Sequence, residues 1–291
     1  MCGIVGLFLK DRALEPQLGM FLSGMLEVMS DRGPDSAGFA VYSQGDAEHL
    51  KLTLRGADLD SVAAALGEGV QGVVRDTHLV LSFPKRDESR VRAYLSRQRP
   101  DIKVIGAGQR IELYKEVGRP ATVARRFDLS GMTGTHGIGH TRMATESAVT
   151  TAGAHPFSTG PDQCLVHNGS LSNHRGLRRM LEPKGISFET DNDSEVAAGY
   201  LSWKLREGAT LAEALESSLT DLDGFFTFVV GTESGFAVVR DPISCKPAVM
   251  AETDQYVAFG SEYRALVGLP GIATARVFEP EPARVYAWER N

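Results

Sequence analysis

The stretch Met1-Cys2-Gly3-Ile4-Val5-Gly6 leads into an apolar run, Ile4–Leu9, whose length and composition predict a short buried strand. Removal of the initiator methionine, which is usual before a small residue, would leave Cys2 with both a thiol and a free α-amine. The unperturbed pKa of such an amine is about 7.7–8.0, so an appreciable fraction is free base near neutral pH. A base beside a thiol is what nucleophilic catalysis requires. Taken alone, the pattern also fits a small apolar residue that begins a strand, because free cysteines are often simply buried.

The composition is that of an ordinary globular protein, and its 291 residues suffice for one large domain or two modest ones. A formal charge of -6 disfavours binding to nucleic acid or to an anionic membrane. Cys2, Cys164 and Cys245 form no CxxC pair, so neither a disulfide framework nor a zinc knuckle is expected. There is no signal peptide pattern and no apolar run of membrane-spanning length. These features predict a cytoplasmic protein in a reducing compartment.

Hydrophobic periodicity predicts strands and helices that alternate in pairs along most of the chain. The predicted strands are Ile4–Leu9, Ala37–Tyr42, His49–Leu54, Thr135–His140, Gln163–Val166, Phe225–Val230, Phe236–Arg240, Ala248–Ala251, Tyr256–Gly260 and one near Arg284–Trp288. The predicted helices are an amphipathic one through Leu18 and Met29, then Asn173–Glu182, Ser194–Leu205, Thr210–Leu222 and one that begins at Ser261. This order indicates two mixed or antiparallel sheets packed together, with helices on the outside.

The middle of the chain has a different character. Apolar alternation in Thr77–Phe83 and Ile102–Ala107 is interleaved with the charged, helix-like Lys85–Gln98 and with Arg110–Val117. We interpret approximately residues 45–130 as an α/β segment inserted into a single domain that spans 1–291.

Two polar clusters contain arginine. The first is Arg32-Gly33-Pro34-Asp35-Ser36-Ala37-Gly38, which is either a tight connection whose polar groups satisfy local backbone or part of a functional site. The second is Gly139-His140-Thr141-Arg142-Met143-Ala144-Thr145, at the end of a predicted strand. An arginine there can grip a carboxylate with two hydrogen bonds, although a surface ion pair is the commoner role.

Two further clusters contain groups suited to an amide substrate. In His167-Asn168-Gly169-Ser170, a side-chain NH2 beside a glycine N–H can stabilise an oxyanion, whereas an Asn-Gly pair is also a strong hairpin signal. In Asp191-Asn192-Asp193-Ser194-Glu195, the acids can bind an ammonium group or, with little support from the spacing, a metal ion. Helix capping explains at least one of these residues without any function.

In this order behind an N-terminal cysteine, the clusters resemble the class II glutamine amidotransferase domain, a branch of the N-terminal nucleophile hydrolases. Arg240-Asp241-Pro242 with Lys246-Pro247, and Phe259-Gly260-Ser261-Glu262, resemble the closing strands of that domain. The resemblance covers most of the chain outside roughly 45–130. It implies an α+β fold, a four-layer αββα sandwich of two mainly antiparallel sheets.

The resemblance also implies roles for individual residues. Cys2 would be the nucleophile and its α-amine the base, and Asn168 with Gly169 would form the oxyanion hole. Arg142 would bind the α-carboxylate of glutamine and Asp193 its ammonium group. The other implied site residues are Arg32, which would order the N-terminal segment, and Thr145 and His167, which would contact substrate. No metal or organic cofactor is expected for this step.

Members of this family pass the released ammonia to a synthase. The chain lacks a phosphosugar isomerase domain, a phosphoribosyltransferase signature, an ATP-pyrophosphatase loop and the GxGxxG of a dinucleotide site. We therefore expect the synthase on a separate chain, in a hetero-oligomer of the glutamate synthase or N-methylglutamate synthase type. Two alternatives stay open at this point: an N-terminal nucleophile hydrolase that acts on another amide, and a non-catalytic regulatory or assembly subunit.

Overall fold

The computed structural model describes residues 2–144 and 148–290, and its strands form three sheets whose pairs are antiparallel throughout these ranges. The strands are β1 Gly3–Leu9, β2 Ser36–Tyr42, β3 His49–Arg55, β4 Gln71–Arg75, β5 His78–Pro84, β6 Lys103–Gly108, β7 Ile111–Val117, β8 His136–Arg142, β9 Phe157–Gly160, β10 Gln163–Leu171, β11 Gly224–Gly231, β12 Gly235–Arg240, β13 Val249–Glu252, β14 Tyr256–Gly260, β15 Arg276–Phe278 and β16 Val285–Glu289.

The α-helices lie between these strands, and short 3-10 turns extend several of them. They are α1 Leu18–Val28, α2 Val62–Leu66, α3 Glu88–Gln98, α4 Pro120–Arg126, α5 His174–Leu181, α6 Asp193–Arg206 and α7 Leu211–Asp221. The helix predicted from Ser261 is wrong: two 3-10 turns, Tyr263–Ala265 and Ile272–Thr274, occupy that region. Gly268, Pro270 and Gly271 separate the two turns, and each of these residue types interrupts a helix.

Two of the sheets stack face to face at the centre of the fold. The larger has the order β15-β13-β14-β1-β8-β2-β7, and the smaller has the order β16-β12-β11-β10-β9. Both faces of the central strands are apolar, so β1 is buried along its whole length. The layer between the sheets contains residues from both, among them Ile4, Phe8, Val166 and Phe236.

Helices cover the outer faces of this pair of sheets. Leu22 and Leu26 of α1, with Val123 of α4, pack on the larger sheet. Helices α5, α6 and α7 cover the smaller sheet through a second apolar cluster that includes Val196 and Leu215. The predicted αββα sandwich of antiparallel sheets is confirmed.

The third sheet, with the order β4-β5-β3-β6, has its own apolar cluster beneath α2 and α3. We call β3–β6 with α2 and α3 the inserted sheet. Strand β7 lies within the range 45–130 but pairs with β2 of the larger sheet, and α4 packs on α1. That the chain is one domain with an insertion stays a proposal. The insertion itself is limited to β3–β6 with α2 and α3, and does not extend over the whole range 45–130. In the described ranges, no helix has the length and apolar run that crossing a bilayer requires.

Candidate active site

Four strand ends meet at one edge of the larger sheet, beside Cys2. The start of β1 pairs with the end of β8, because Gly3 lies opposite Thr141. Ser36 at the start of β2 lies opposite Arg142 on one side and Val117 on the other. The antiparallel register thus brings the first and second sequence clusters to the same edge as the cysteine.

The backbone that follows Cys2 is fixed by two buried hydroxyl groups. The Gly3 N–H donates to Thr141 Oγ1 at 3.1 Å, and the Ile4 N–H donates to Ser261 Oγ at 2.9 Å. Both bonds are buried, where an unpaired N–H would be costly. The backbone next to Cys2 is therefore held by groups that lie 138 residues from Gly3 and 257 residues from Ile4.

The carbonyl oxygen of Cys2 accepts two hydrogen bonds from residues of different clusters. Arg32 Nε donates at 3.0 Å, and Asn168 Nδ2 donates at 3.2 Å. The same arginine donates from Nη1 to Glu262 at 2.5 Å, and this hydrogen bond lowers the pKa of the Glu262 carboxyl. The Cys2 thiol itself lies 3.8 Å from the carbonyl oxygen of Met143. Cys2, Arg32 and Asn168 are thus brought together.

The turn that contains Arg32 is pressed against β8. A Cβ added at Gly33 would lie 2.4 Å from the carbonyl carbon of Thr141, so this turn has no room for a side chain. Asp35 accepts from the Ala144 N–H at 2.8 Å, while its own N–H donates to the Arg142 carbonyl at 3.1 Å. The polar groups of the turn therefore serve distant backbone at the end of β8.

Asn168 and Gly169 lie inside β10, so the hairpin alternative for this pair is wrong. Asn168 is 4% exposed. A Cβ at Gly169 would lie 2.0 Å from the Phe225 carbonyl oxygen, which excludes any other residue type without a backbone shift. The close approach of β11 therefore explains the glycine at this position.

His167, Ser194 and Asp193 are linked by side-chain contacts that run from the buried His167 to the partly exposed Asp193. His167 Nδ1 is 2.8 Å from Ser194 Oγ, which donates to Asp193 Oδ1 at 3.3 Å. Asp193 Oδ2 accepts from the Leu171 N–H at 2.9 Å. Capping explains Asn192, whose side chain accepts from the Ser194 N–H at the start of α6. The His167 side chain is 1% exposed, so its ring does not open onto solvent.

Arg142 lies at the end of β8 and is 7% exposed. Its Nη1 donates to the Ala148 carbonyl at 3.3 Å and would lie 3.4 Å from a Cβ at Gly153. Asn192 Nδ2 donates to the Gly153 carbonyl at 3.5 Å, so segment 148–153 joins Arg142 to the start of α6. Thr145, also predicted as a substrate contact, lies outside the described residues, as does Met1.

The buried rings of two histidines stack on each other, and one of them contacts the backbone of His167. The rings of His140 and His155 stack at 4.0 Å, and His140 Nε2 donates to the His167 carbonyl at 3.0 Å. Burial lowers the pKa of His140 to about 3 and also lowers the pKa of His155 and of His167. These rings are therefore neutral at neutral pH and join β8 to β10.

The described residues contain no group of three His, Cys, Asp or Glu side chains placed to hold a metal ion. Five residues with clear contacts near the site were not predicted as site residues: Asp35, Thr141, Ser261, Lys115 and Glu116. Thr141 and Ser261 belong to quoted motifs, whose neighbours Arg142 and Glu262 carry more obvious chemistry. Lys115 and Glu116 are in a plain strand sequence that gives no signal of a contact.

Known protein families and sequences resemble this chain. The model of the glutamine amidotransferase domain family matches residues 140–268. The chain is 61% identical to the glutamine amidotransferase-like protein GlxB of Rhizobium meliloti, across 100% of the chain and 99% of that protein. It is 36% identical to a putative glutamine amidotransferase of Methanothermobacter thermautotrophicus, across 98% of the chain and 99% of that protein.

A solved structure shares the fold. The glutamine phosphoribosylpyrophosphate amidotransferase of B. subtilis superimposes with a TM-score of 0.64 at 20% identity. The match covers 99% of this chain and 47% of that enzyme, so the chain spans about half of that enzyme's length.

Proposed function

This chain belongs to the class II glutamine amidotransferase family, and from that premise we propose that it hydrolyses glutamine to glutamate and ammonia. The observation that carries the proposal is the convergence of Arg32 Nε and Asn168 Nδ2 on the carbonyl oxygen of Cys2. Three segments that are far apart in sequence meet at the residue whose thiol the mechanism needs.

The proposed reaction begins at Cys2 after removal of Met1. The α-amine accepts the thiol proton, and sulfur attacks the side-chain amide carbon of glutamine. The Asn168 amide and the Gly169 N–H stabilise the resulting oxyanion. The C–N bond then breaks, the α-amine returns its proton to the departing nitrogen, and a thioester to Cys2 remains. Water attacks this thioester, breaks the C–S bond and releases glutamate.

Recognition of a free amino acid is assigned to Arg142 and Asp193. The Arg142 guanidinium would bind the α-carboxylate, and the Asp193 carboxylate, whose side chain is 22% exposed, would bind the α-ammonium group. These two charges distinguish glutamine from a simple amide. Arg32 orders the backbone of Cys2. His167, for which a substrate contact was predicted, has a buried ring that contacts Ser194, and we propose for it a positioning role beside Asp193 instead.

We further propose that the ammonia passes to a synthase on a partner chain. A relative of this chain, the glutamine–fructose-6-phosphate aminotransferase of Aliivibrio fischeri, is 35% identical over 129 residues, which are 21% of its length. The matched region is thus a small part of a larger aminating enzyme. This supports a glutaminase unit that works with a separate acceptor site. The acceptor that we propose is of the glutamate synthase or N-methylglutamate synthase type.

The test is glutamate release from glutamine by the native chain, by Cys2→Ala and by the matched control Cys245→Ala, each with and without co-purified partner chains. Cys245 is an exposed thiol to which the mechanism assigns no role, so its loss should leave the rate unchanged. Cys2→Ala should lower kcat by about 10⁴-fold or more, as loss of a nucleophile does. Glutamate release that survives in Cys2→Ala would contradict the proposal. Transfer is tested with ¹⁵N-amide glutamine, whose label should appear in the partner's product.

A further inference from the structure

Strand β7 connects the inserted sheet to the edge of the sheet that holds the candidate site. On one side it pairs with β2, which begins at that edge. On its other side it is bonded to β3, because the Leu113 N–H donates to Thr53 Oγ1 at 3.2 Å and Lys51 Nζ donates to Glu112 at 2.8 Å. The end of β7 therefore lies between the inserted sheet and the edge of the larger sheet that holds the candidate site.

Lys115 of β7 anchors the segment that follows Arg142. Its Nζ donates to the carbonyl oxygens of Ala152, Ala154 and Pro156 at 3.1, 2.9 and 3.4 Å. The side chain is 5% exposed, and burial lowers the pKa of its ammonium group to about 8. All three donors of a buried lysine are thus used on the backbone of one short segment.

Glu116, the next residue of β7, contacts both regions at once. Its Oε1 accepts a hydrogen bond from Thr151 Oγ1, next to the residues that Lys115 binds. Its Oε2 accepts from Thr77 Oγ1 at 3.2 Å, and Thr77 lies in the turn between β4 and β5 of the inserted sheet. One carboxylate therefore bridges the inserted sheet and the segment after Arg142.

The same segment contacts the proposed glutamine-binding groups. Arg142 Nη1 donates to the carbonyl of Ala148, and Gly153 lies beside the same nitrogen. Gly153 also accepts from Asn192, the cap of the helix that begins with Asp193. A shift of residues 148–156 would therefore move the surroundings of both charged groups.

We propose that Lys115 and Glu116 are positioning residues for glutamine, and that Glu116 makes glutamine affinity depend on the inserted sheet through Thr77. The inference rests on the proposed function, since it assumes that Arg142 and Asp193 bind the substrate. A displacement of the turn at Thr77 would shift Glu116, weaken its hydrogen bond with Thr151 and lower the affinity for glutamine. The inserted sheet would in this way regulate glutamine binding. We expect the chemistry at Cys2 to be unaltered, because in the described ranges the hydrogen bonds of Lys115, Glu116 and Thr151 go to residues other than Cys2, Asn168 and Gly169.

Threonine-to-valine variants test this with little change in shape. Thr151→Val removes the bond between the segment and Glu116, and Thr77→Val removes the bond between the inserted sheet and Glu116. The matched control is Thr159→Val, since Thr159 Oγ1 bonds to Ser202 Oγ and has no contact with Glu116. Glutamine affinity is measured by calorimetry in the Cys2→Ala background. The steady-state kcat and KM, the thermal midpoint and the rate of Cys2 alkylation by iodoacetamide are measured with Cys2 present.

Thr151→Val should weaken glutamine binding about 10-fold, as expected for a lost hydrogen bond to a charged group, and raise KM similarly. Thr77→Val should act in the same direction by about 3-fold, and Thr159→Val by less than 2-fold. The kcat and the alkylation rate should stay within 2-fold of the parent in all three variants.

Unchanged affinity in Thr151→Val, in a parent chain that hydrolyses glutamine, would overturn the inference and leave the proposed function intact. The inference would also be overturned if Thr151→Val lowered the glutamine affinity, the alkylation rate and the thermal midpoint together. That result would indicate a general structural role for Thr151. A parent chain that neither binds nor hydrolyses glutamine would overturn the proposed function and this inference with it.

Discussion

The start of β1 and the end of β7 lie at the same edge of the larger sheet, yet their side chains are used differently. At β1, groups from distant clusters converge on the backbone of one residue, Cys2. At β7, two adjacent residues reach out to the backbone and a hydroxyl of one segment. The first arrangement fixes the proposed nucleophile, and the second fixes the surroundings of the proposed glutamine-binding arginine. We therefore expect mutations at β1 to change kcat and mutations at β7 to change affinity.

Asn168→Ala should give the largest effect of the substitutions discussed below. Loss of one oxyanion donor typically lowers kcat by about 10²–10³-fold, and glutamine affinity in the Cys2→Ala background should change little. The control is Asn173→Ala, whose side-chain amide donates to the Asp221 carbonyl at the surface. A loss of affinity as large as the loss of kcat would remove the distinction between the two strand ends.

The clusters around Cys2 could be predicted because they contain distinctive residue types in a distinctive order: a cysteine at position 2, an Asn-Gly pair and two arginines. The fold could be predicted where strands alternate or are uniformly apolar, as in β1, β2 and β14. The sequence does not predict which strands pair with each other. Strand β7 has the same local pattern whether it joins the inserted sheet or β2, and only the long-range register decides.

The contacts of Lys115, Glu116 and Asp35 were missed for a related reason. Each of these side chains bonds to backbone or to a hydroxyl group, and such partners exist everywhere in a sequence. The short exposed strand β4 was also not predicted, because its pairing with β5, and not its own burial, holds it in the sheet. Sequence patterns report burial and residue chemistry; they do not report which backbone a side chain will reach.

A smaller effect is expected when the pH is lowered, on the stability of the fold, through His78 of the inserted sheet. His78 packs against Phe127 with ring centroids 4.6 Å apart, and burial lowers its pKa to about 3. Because the folded-state pKa lies below the unfolded value of about 6.5, this histidine contributes stability that is present above pH 6.5 and is lost as pH falls toward 3. His78→Phe should therefore lose less stability than the native chain between pH 7 and pH 5, by about 1–2 kcal/mol.

Urea unfolding of both chains at pH 8, 7 and 5 provides the measurement. Between pH 8 and 7 the difference between the two chains should be constant, since an unfolded histidine is mostly neutral there. Identical losses of stability from pH 7 to 5 would show that His78 is not held neutral by its burial in the fold. The kcat at pH 7 should be the same in both chains, because His78 belongs to the inserted sheet.

The central claim is that Cys2 acts as an N-terminal residue whose own α-amine serves as the base. It is tested most directly by inserting one lysine between Met1 and Cys2, which retains the methionine and converts the amine into an amide. Intact mass verifies both N-termini, and glutamate release gives kcat for each chain. We predict that the native chain lacks Met1 and that the insertion lowers kcat by about 10²–10⁴-fold, the usual contribution of a general base. Equal kcat values, or a native chain that keeps Met1 and is fully active, would contradict the account.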